Sequence, residues 1–348
     1  MTSRDLTLRC LRGEPAPHPP VLCPGGMMSF AVTEVMEQTG CWWPEAHTDA
    51  KAMATLAVAM ARATGFDNVG VPFCMTVEAE ALGATVNLGD SQVQPRILHE
   101  PLLQGDRATQ PALAVEAALR RAQLPPDRDR RPVVLEALRL ARAEAPELAL
   151  VGSLVGPVSL AGQLLEASLL LRALRRQPDS VHRLLDYVTS FLEGFAVEQI
   201  RAGADLLTIA DPTATGEILG PDRYREFAEP YLARLIDTLH AAGAPVILHL
   251  CGNPHTILPA LAETKAEAVS LDELADLREA RAVLNHQRLM GNLSARLLEA
   301  GPPEVIMFAS RKALGWGADI LAPACGVLAG TPTRHLQAMA AASLLGAQ

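Results

Sequence analysis

Short apolar segments of four or five residues recur through the chain, each ending in glycine, proline, asparagine or a functional polar residue. Eight fit that description: Pro20–Cys23, Asn68–Pro72, Leu148–Gly152, Leu206–Ala210, Val246–His249, Ala268–Leu271, Arg288–Gly291 and Ile320–Pro323. Runs this short and this apolar suit strands. Helical stretches lie between several of them. Asp179 to Ala202 sets Leu184, Leu185, Val188, Phe191, Leu192, Phe195 and Ile200 on one stripe and stops before Gly203. Pro221 to Ala242 opens with proline in its first turn, carries Pro230 as a kink, and ends at Gly243, two residues before the next strand. Strand, helix and strand joined by short returns imply parallel pairing, and eight such strands favour closure into a single α/β domain, a (β/α)8 TIM barrel. The stretch from Val77 to Glu147 exceeds one crossover and is read as a helical or hairpin insertion after the second strand. Within it, Pro125–Pro132 is expected to be a solvated turn.

Composition narrows the function classes. Net charge is −9, and 30 Lys and Arg are dispersed among 39 acids, so no basic stripe exists for nucleic acid. No run of about 18 apolar residues is present and the start lacks a signal-type apolar core, so no membrane association is expected and a cytoplasmic location is. Six cysteines without a C-x-x-C do not resemble a disulfide framework, and in a reducing compartment they stay thiols.

The informative motif is Pro245-Val-Ile-Leu-His-Leu-Cys-Gly-Asn253. Side chains alternate along a strand, so His249 and Cys251 share a face, and they stand where the strand ends, at the catalytic mouth of a barrel. By itself H-x-C more readily fits a packed histidine beside a small buried cysteine. A third residue alters the balance: Cys325 follows the last strand in Ile320-Leu-Ala-Pro-Ala-Cys-Gly-Val327, across the mouth. One imidazole and two thiolates with one exchangeable position form a catalytic zinc set. Asp272, on the face of Ser270, is the candidate fourth ligand, with a salt bridge as the competing role. Cys41, Cys74 and His255 are further candidates, and His255 is expected to cap the next helix instead.

The zinc motif around His249 and Cys251 and the segment ending in Cys325 resemble those of methylcobamide:coenzyme M methyltransferases, a corrinoid-dependent branch of the uroporphyrinogen decarboxylase superfamily. Trp43-Pro-Glu-Ala-His-Thr-Asp49, Val71-Pro-Phe-Cys-Met-Thr-Val-Glu-Ala-Glu-Ala-Leu-Gly83, Gly156-Pro-Val-Ser-Leu-Ala-Gly162, Gly203-Ala-Asp205, Asp211-Pro212 and Gly291-Asn-Leu293 are similar to signatures of that superfamily in the same order. Decarboxylases carry an arginine-bearing loop after the first strand, where this chain has Cys23-Pro-Gly-Gly-Met-Met-Ser-Phe30 and no cation. Phe73-Cys74 stands where they have a substrate-binding aspartate, and Ala324-Cys325-Gly326 replaces their Gly-His-Gly.

The resemblance implies methyl transfer from a methylcorrinoid, carried on a separate corrinoid protein, to a small thiol ionised at zinc. His47, Asp49, Cys74, Glu78, Glu80, Asp211 and Asn292 would line the pocket, with capping or salt-bridge roles as the alternative for each. Three other readings stay open: a zinc methyltransferase moving methyl from a folate to homocysteine, a uroporphyrinogen decarboxylase, and a metal-binding barrel without turnover.

Overall fold

The computed structural model describes residues 1–23, 30–102 and 128–345. Nine strands occur in this part: β1 (Asn68–Val71), β2 (Thr85–Asn87), β3 (Arg96–His99), β4 (Ala149–Val155), β5 (Leu206–Ala210), β6 (Val246–Leu250), β7 (Ala268–Leu271), β8 (Arg288–Leu293) and β9 (Ile320–Pro323). Seven of them form one parallel sheet in the order β1-β4-β5-β6-β7-β8-β9, and β2 and β3 form a separate antiparallel pair. Each step around the parallel sheet after β4 follows chain order, as expected where every strand is returned by a helix on the outside.

Pro20–Cys23, expected as the first strand, makes one isolated bridge, Val21 to Leu321, instead of a ladder. It nevertheless lies between the two ends of the sheet. The Leu22 N–H reaches the Leu321 carbonyl at 3.0 Å, and the Asp67 N–H reaches the Val21 carbonyl at 2.8 Å. The ladder is short because Pro20 has no N–H, and because side chains take over the neighbouring groups. Asp67 accepts the Val21 N–H at 2.8 Å, and Asn68 holds both the Cys23 N–H and carbonyl, at 2.8 and 2.9 Å.

The 77–147 stretch is also corrected in part. Its end, the helix Arg131–Glu144, packs on β1 and β4 and is the crossover that joins them. The β2–β3 hairpin precedes it. Residues 103–127, including part of the Pro125–Pro132 turn, and residues 24–29 of the loop after Cys23 lie outside the described residues. The helix expected from Asp179 is observed at Pro178–Arg201. The kink expected at Pro230 is a π-helical turn, Tyr224–Ala228, leading into the helix Glu229–Ala241. Widening that turn accommodates a proline ring that a regular helix would press against the carbonyl four residues back.

Alternation along the strands separates an apolar floor from a polar upper layer. Leu22, Ala149, Val151, Leu206, Ile247, Ala268, Met290 and Ile320 form a buried cluster together with Cys10 and Leu11 of the helix Ser3–Leu11. Two residues further along three neighbouring strands the same face carries Thr208, His249 and Ser270, all fully buried. Among the described residues no helix is long and apolar enough to cross a membrane.

Opposite the mouth, four acids just before strands perform one task. Asp67, Asp205, Glu267 and Asp319 accept the N–H of Val21, Leu150, Val246 and Leu289, each on the adjacent strand, at 2.8 to 2.9 Å. Asp205 also pairs with Arg4 at 2.8 Å and with Arg142, tying the first helix to the sheet. Its removal strands two cations and a backbone donor. Asp205→Ala is expected to lower unfolding free energy by about 2–3 kcal/mol, read from urea denaturation, with Asp237→Ala, an exposed surface acid, as the comparison.

Candidate metal centre

Val246 to Leu250 is buried along its whole length and pairs with β5 on one side and β7 on the other. In the β6–β7 register His249 stands level with Ser270. Their side chains meet, with His249 Nδ1 3.0 Å from the Ser270 hydroxyl oxygen, and Nε2 faces Cys251 Sγ at 3.3 Å. A ring nitrogen engaged with a hydroxyl in this way fixes which nitrogen stays open for a ligand.

Cys251 leaves the same face one pleat later, where the chain turns. Gly252 makes that turn at φ +74, and a Cβ there would stand 2.5 Å from Glu217 Oε2. That oxygen accepts the Asn253 N–H at 3.1 Å and pins the loop. On the other side Cys325 follows β9 and is buried. Ligand atoms of His249, Cys251 and Cys325 lie within 4.8 Å of one another. Tetrahedral zinc bonds of about 2.0–2.3 Å would hold such atoms about 3.3–3.8 Å apart, so a modest contraction suffices.

The sulfurs are electrostatically unequal. The Cys251 thiol is pulled down, chiefly by the hydrogen bond that Cys325 donates and then by His249, while burial and the Asp272 carboxylate oppose this. Cys325 is pushed up as the donor of that bond, and by burial. The pair therefore favours one shared proton, and a dication bound between the sulfurs would release it. Two soft thiolates and one imidazole match zinc better than a hard cation such as magnesium.

The other residues marked in the sequence divide into two groups. Asp272 lies near enough to Cys251 to oppose its ionisation, outside the 4.8 Å set, and accepts the Leu274 N–H through Oδ1 at 3.0 Å. Asp49 is exposed and caps the helix Ala50–Thr64 through the Ala52 N–H at 2.7 Å. Asp211 is buried with both oxygens engaged by the start of the helix Pro157–Leu165, accepting the N–H groups of Val158 and Ser159. Glu80 is ion-paired with Arg130 at 2.6 Å, and Asn292 donates to the carbonyls of Asp272 and Ala275. Each of these has a structural partner that accounts for it.

Cys41 lies 3.8 Å from the Thr39 carbonyl, and exposed His255 pairs with Glu279, so neither joins the three. His47, Cys74 and Glu78 are buried around the turn after β1. Two contacts are not legible in the sequence. Ser270 was legible as facing the mouth and its contact with His249 was not; Arg130, 2 % exposed beside Cys74 and Glu80, carried no local signal.

The profile of the uroporphyrinogen decarboxylase (URO-D) family matches residues 2–343. The methylcobamide:CoM methyltransferase MtaA of Methanosarcina barkeri is 32% identical over 346 residues, covering 98% of this chain and 97% of that protein. The methylcobamide:CoM methyltransferase MtbA of Methanosarcina acetivorans is 33% identical over 340 residues, covering 97% and 96%. The solved structure of a methyltransferase from Methanosarcina mazei superposes with a TM-score of 0.87 at 32% identity, covering 99% and 98%. The chain thus belongs to the uroporphyrinogen decarboxylase family, on the branch that resembles its methylcobamide:CoM methyltransferases.

Proposed function

We propose that His249, Cys251 and Cys325 hold a zinc ion and that the protein moves a methyl group from a methylated corrinoid to a small thiol such as coenzyme M. One observation carries this reading: one imidazole nitrogen and two sulfurs, from segments up to seventy-six positions apart, gather within 4.8 Å at the carboxyl ends of the strands. The names of the relatives supply the methyl donor and the acceptor thiol. The fold is taken as one closed eightfold barrel forming a single domain, with Pro20–Cys23 as the stave that joins β9 to β1.

Zinc bound there would keep the acceptor thiol ionised at neutral pH, where a free thiol with a pKa near about 8.5 is mostly protonated. The rest falls to the protein. Cys251 and Cys325 bring two negative charges, so the acceptor sulfur stays electron-rich instead of being drained by a strongly positive centre. Ser270 holds His249 at Nδ1 and presents Nε2. Asp272, whose Oδ1 accepts the Leu274 N–H, would be the residue to supply a fourth ligand at rest. In the transfer the sulfur lone pair forms the new S–C bond, and the methyl–cobalt bond breaks with its electron pair left on cobalt. The donor is too large to be held inside the chain, so it reaches the mouth on a corrinoid partner protein.

Two outcomes follow. Purified protein is expected to carry one zinc per chain, and Cys251→Ala or Cys325→Ala to lose both the metal and, by a factor of about a hundred or more, coenzyme M-dependent loss of methylcobalamin absorbance. Full turnover by a zinc-free protein would sink the proposal. Ser270→Ala leaves all three ligands and removes only the group that orients the imidazole. Its zinc affinity, measured by competition with a chromogenic chelator, is expected to fall about 10- to 100-fold.

A further inference from the structure

The three side chains of the metal centre are not anchored alike. His249 lies inside β6, and Cys325 directly follows Ala324, whose N–H reaches the Leu293 carbonyl at 2.7 Å. Cys251 lies past the last rung of its ladder with β7, Leu250 to Leu271, and it is half-buried where Cys325 is buried. Its sulfur is therefore placed by a loop, and a strand-end loop keeps one conformation only where something ties it.

Two residues beyond Cys251 the turn is tied. Glu217, in the loop between β5 and the helix Gly220–Arg223, accepts the Asn253 N–H through Oε2 at 3.1 Å. An ionised carboxylate is a stronger acceptor for a backbone N–H than a neutral oxygen. The two loops are also fitted to each other. A Cβ on Gly216 would stand 2.4 Å from Thr256 Oγ1, and one on Gly252 would meet the Glu217 carboxylate, so the approach needs a bare backbone on both sides. On its far side the turn is tied again: Asn253 Oδ1 accepts the His255 N–H at 3.0 Å, and the His255 ring pairs with Glu279 of the helix Leu277–Val283. A chain of contacts thus runs from the loop after β5, through the turn of Cys251, to the helix after β7.

These contacts add little to the core. Glu217, Asn253 and His255 are exposed, and β5 and β6 are buried along their whole length without them. An exposed N–H loses little when water replaces its partner, so stability does not account for the arrangement. Placement does. Metal–ligand distances tolerate only a few tenths of an ångström, and a turn left free would have to be ordered at the moment a metal binds, at an entropic cost. Glu217 holds that turn in advance.

We propose that Glu217 is a positioning residue: by accepting the Asn253 N–H it fixes the turn that carries Cys251, and so sets this sulfur where one metal ion bridges it to His249 and Cys325. The assignment rests on the zinc reading above. Glu217 acts through a hydrogen bond and not through its charge, which separates two substitutions. Glu217→Gln keeps an acceptor oxygen and removes the charge; Glu217→Ala removes both.

The test has one readout with metal and one without. Cobalt(II) is titrated into metal-free protein against a competing chelator, and the sulfur-to-cobalt charge-transfer band reports bound cysteine sulfur. Glu217→Ala is expected to move the midpoint to about tenfold higher cobalt, and Glu217→Gln to stay within about threefold of the unaltered protein. The second readout is alkylation of Cys251 by iodoacetamide in metal-free protein, followed by peptide mass spectrometry with half-buried Cys41 as the internal reference. A freed turn opens more often, so the ratio of the Cys251 rate to the Cys41 rate is expected to rise about five- to tenfold in Glu217→Ala and to change little in Glu217→Gln. An unchanged midpoint or an unchanged ratio in Glu217→Ala overturns the assignment. So does Glu217→Gln matching Glu217→Ala in either readout, because charge would then be the cause. Should the unaltered protein give no cobalt band, the zinc reading has failed, and the alkylation ratios alone decide whether Glu217 holds the turn.

Discussion

A side chain on a parallel strand has one level neighbour on each adjacent strand, and for His249 the neighbour on β7 is Ser270, 3.0 Å from Nδ1. That contact decides which ring nitrogen is offered to the mouth, and the pleat then places Cys251 on the same face one step beyond. A shift of one residue in the β6–β7 pairing would turn both groups toward the surrounding helices and bring apolar residues inward. The register is in turn secured at the opposite end, where Glu267 accepts the Val246 N–H at 2.8 Å and sets the start of β6 against β7. Chemistry at one end of the sheet is therefore held in place by carboxylates at the other.

Those end carboxylates separate two demands that compete in a small enzyme. Asp67, Asp205, Glu267 and Asp319 face solvent-accessible arginines or turns and fix strand starts. At the mouth, three buried acids have different tasks. Asp211 serves the start of a helix, Glu80 balances Arg130, and Glu78 keeps one oxygen bare. The same residue type thus serves in two separate layers, and the apolar floor of Val151, Leu206, Ile247 and Met290 lies between them.

Much of this was readable before any coordinates, for reasons tied to distance along the chain. Seven of the eight apolar segments became parallel strands, because burial on both faces leaves a compositional mark that needs no partner to be recognised. Pro20–Cys23 forms no ladder because Pro20 lacks an N–H and because Asp67 and Asn68 take neighbouring backbone groups, contacts made across about 45 residues. The helix Arg131–Glu144 was hidden as a crossover by the hairpin in front of it. His249 and Cys251 were legible through strand alternation, and Cys325 through its place after the last strand. Arg130 was not: its partners lie 50 to 56 positions earlier, and no periodicity connects them. Asp49 and Asp211, expected near substrate, are occupied as helix-starting acceptors, a role for short acidic side chains that sequence leaves open until the helix is placed.

The helix Ser3–Leu11 seats Cys10 and Leu11 beneath the sheet's inner cluster, and this closed floor has a kinetic consequence. A cavity with one doorway admits its occupants in sequence. On the proposed chemistry the small acceptor must already be seated when the bulky donor covers the opening, and the methylated product must wait for that donor to depart. On that chemistry, compulsory order of this kind would arise from a stopper on the far side of the molecule.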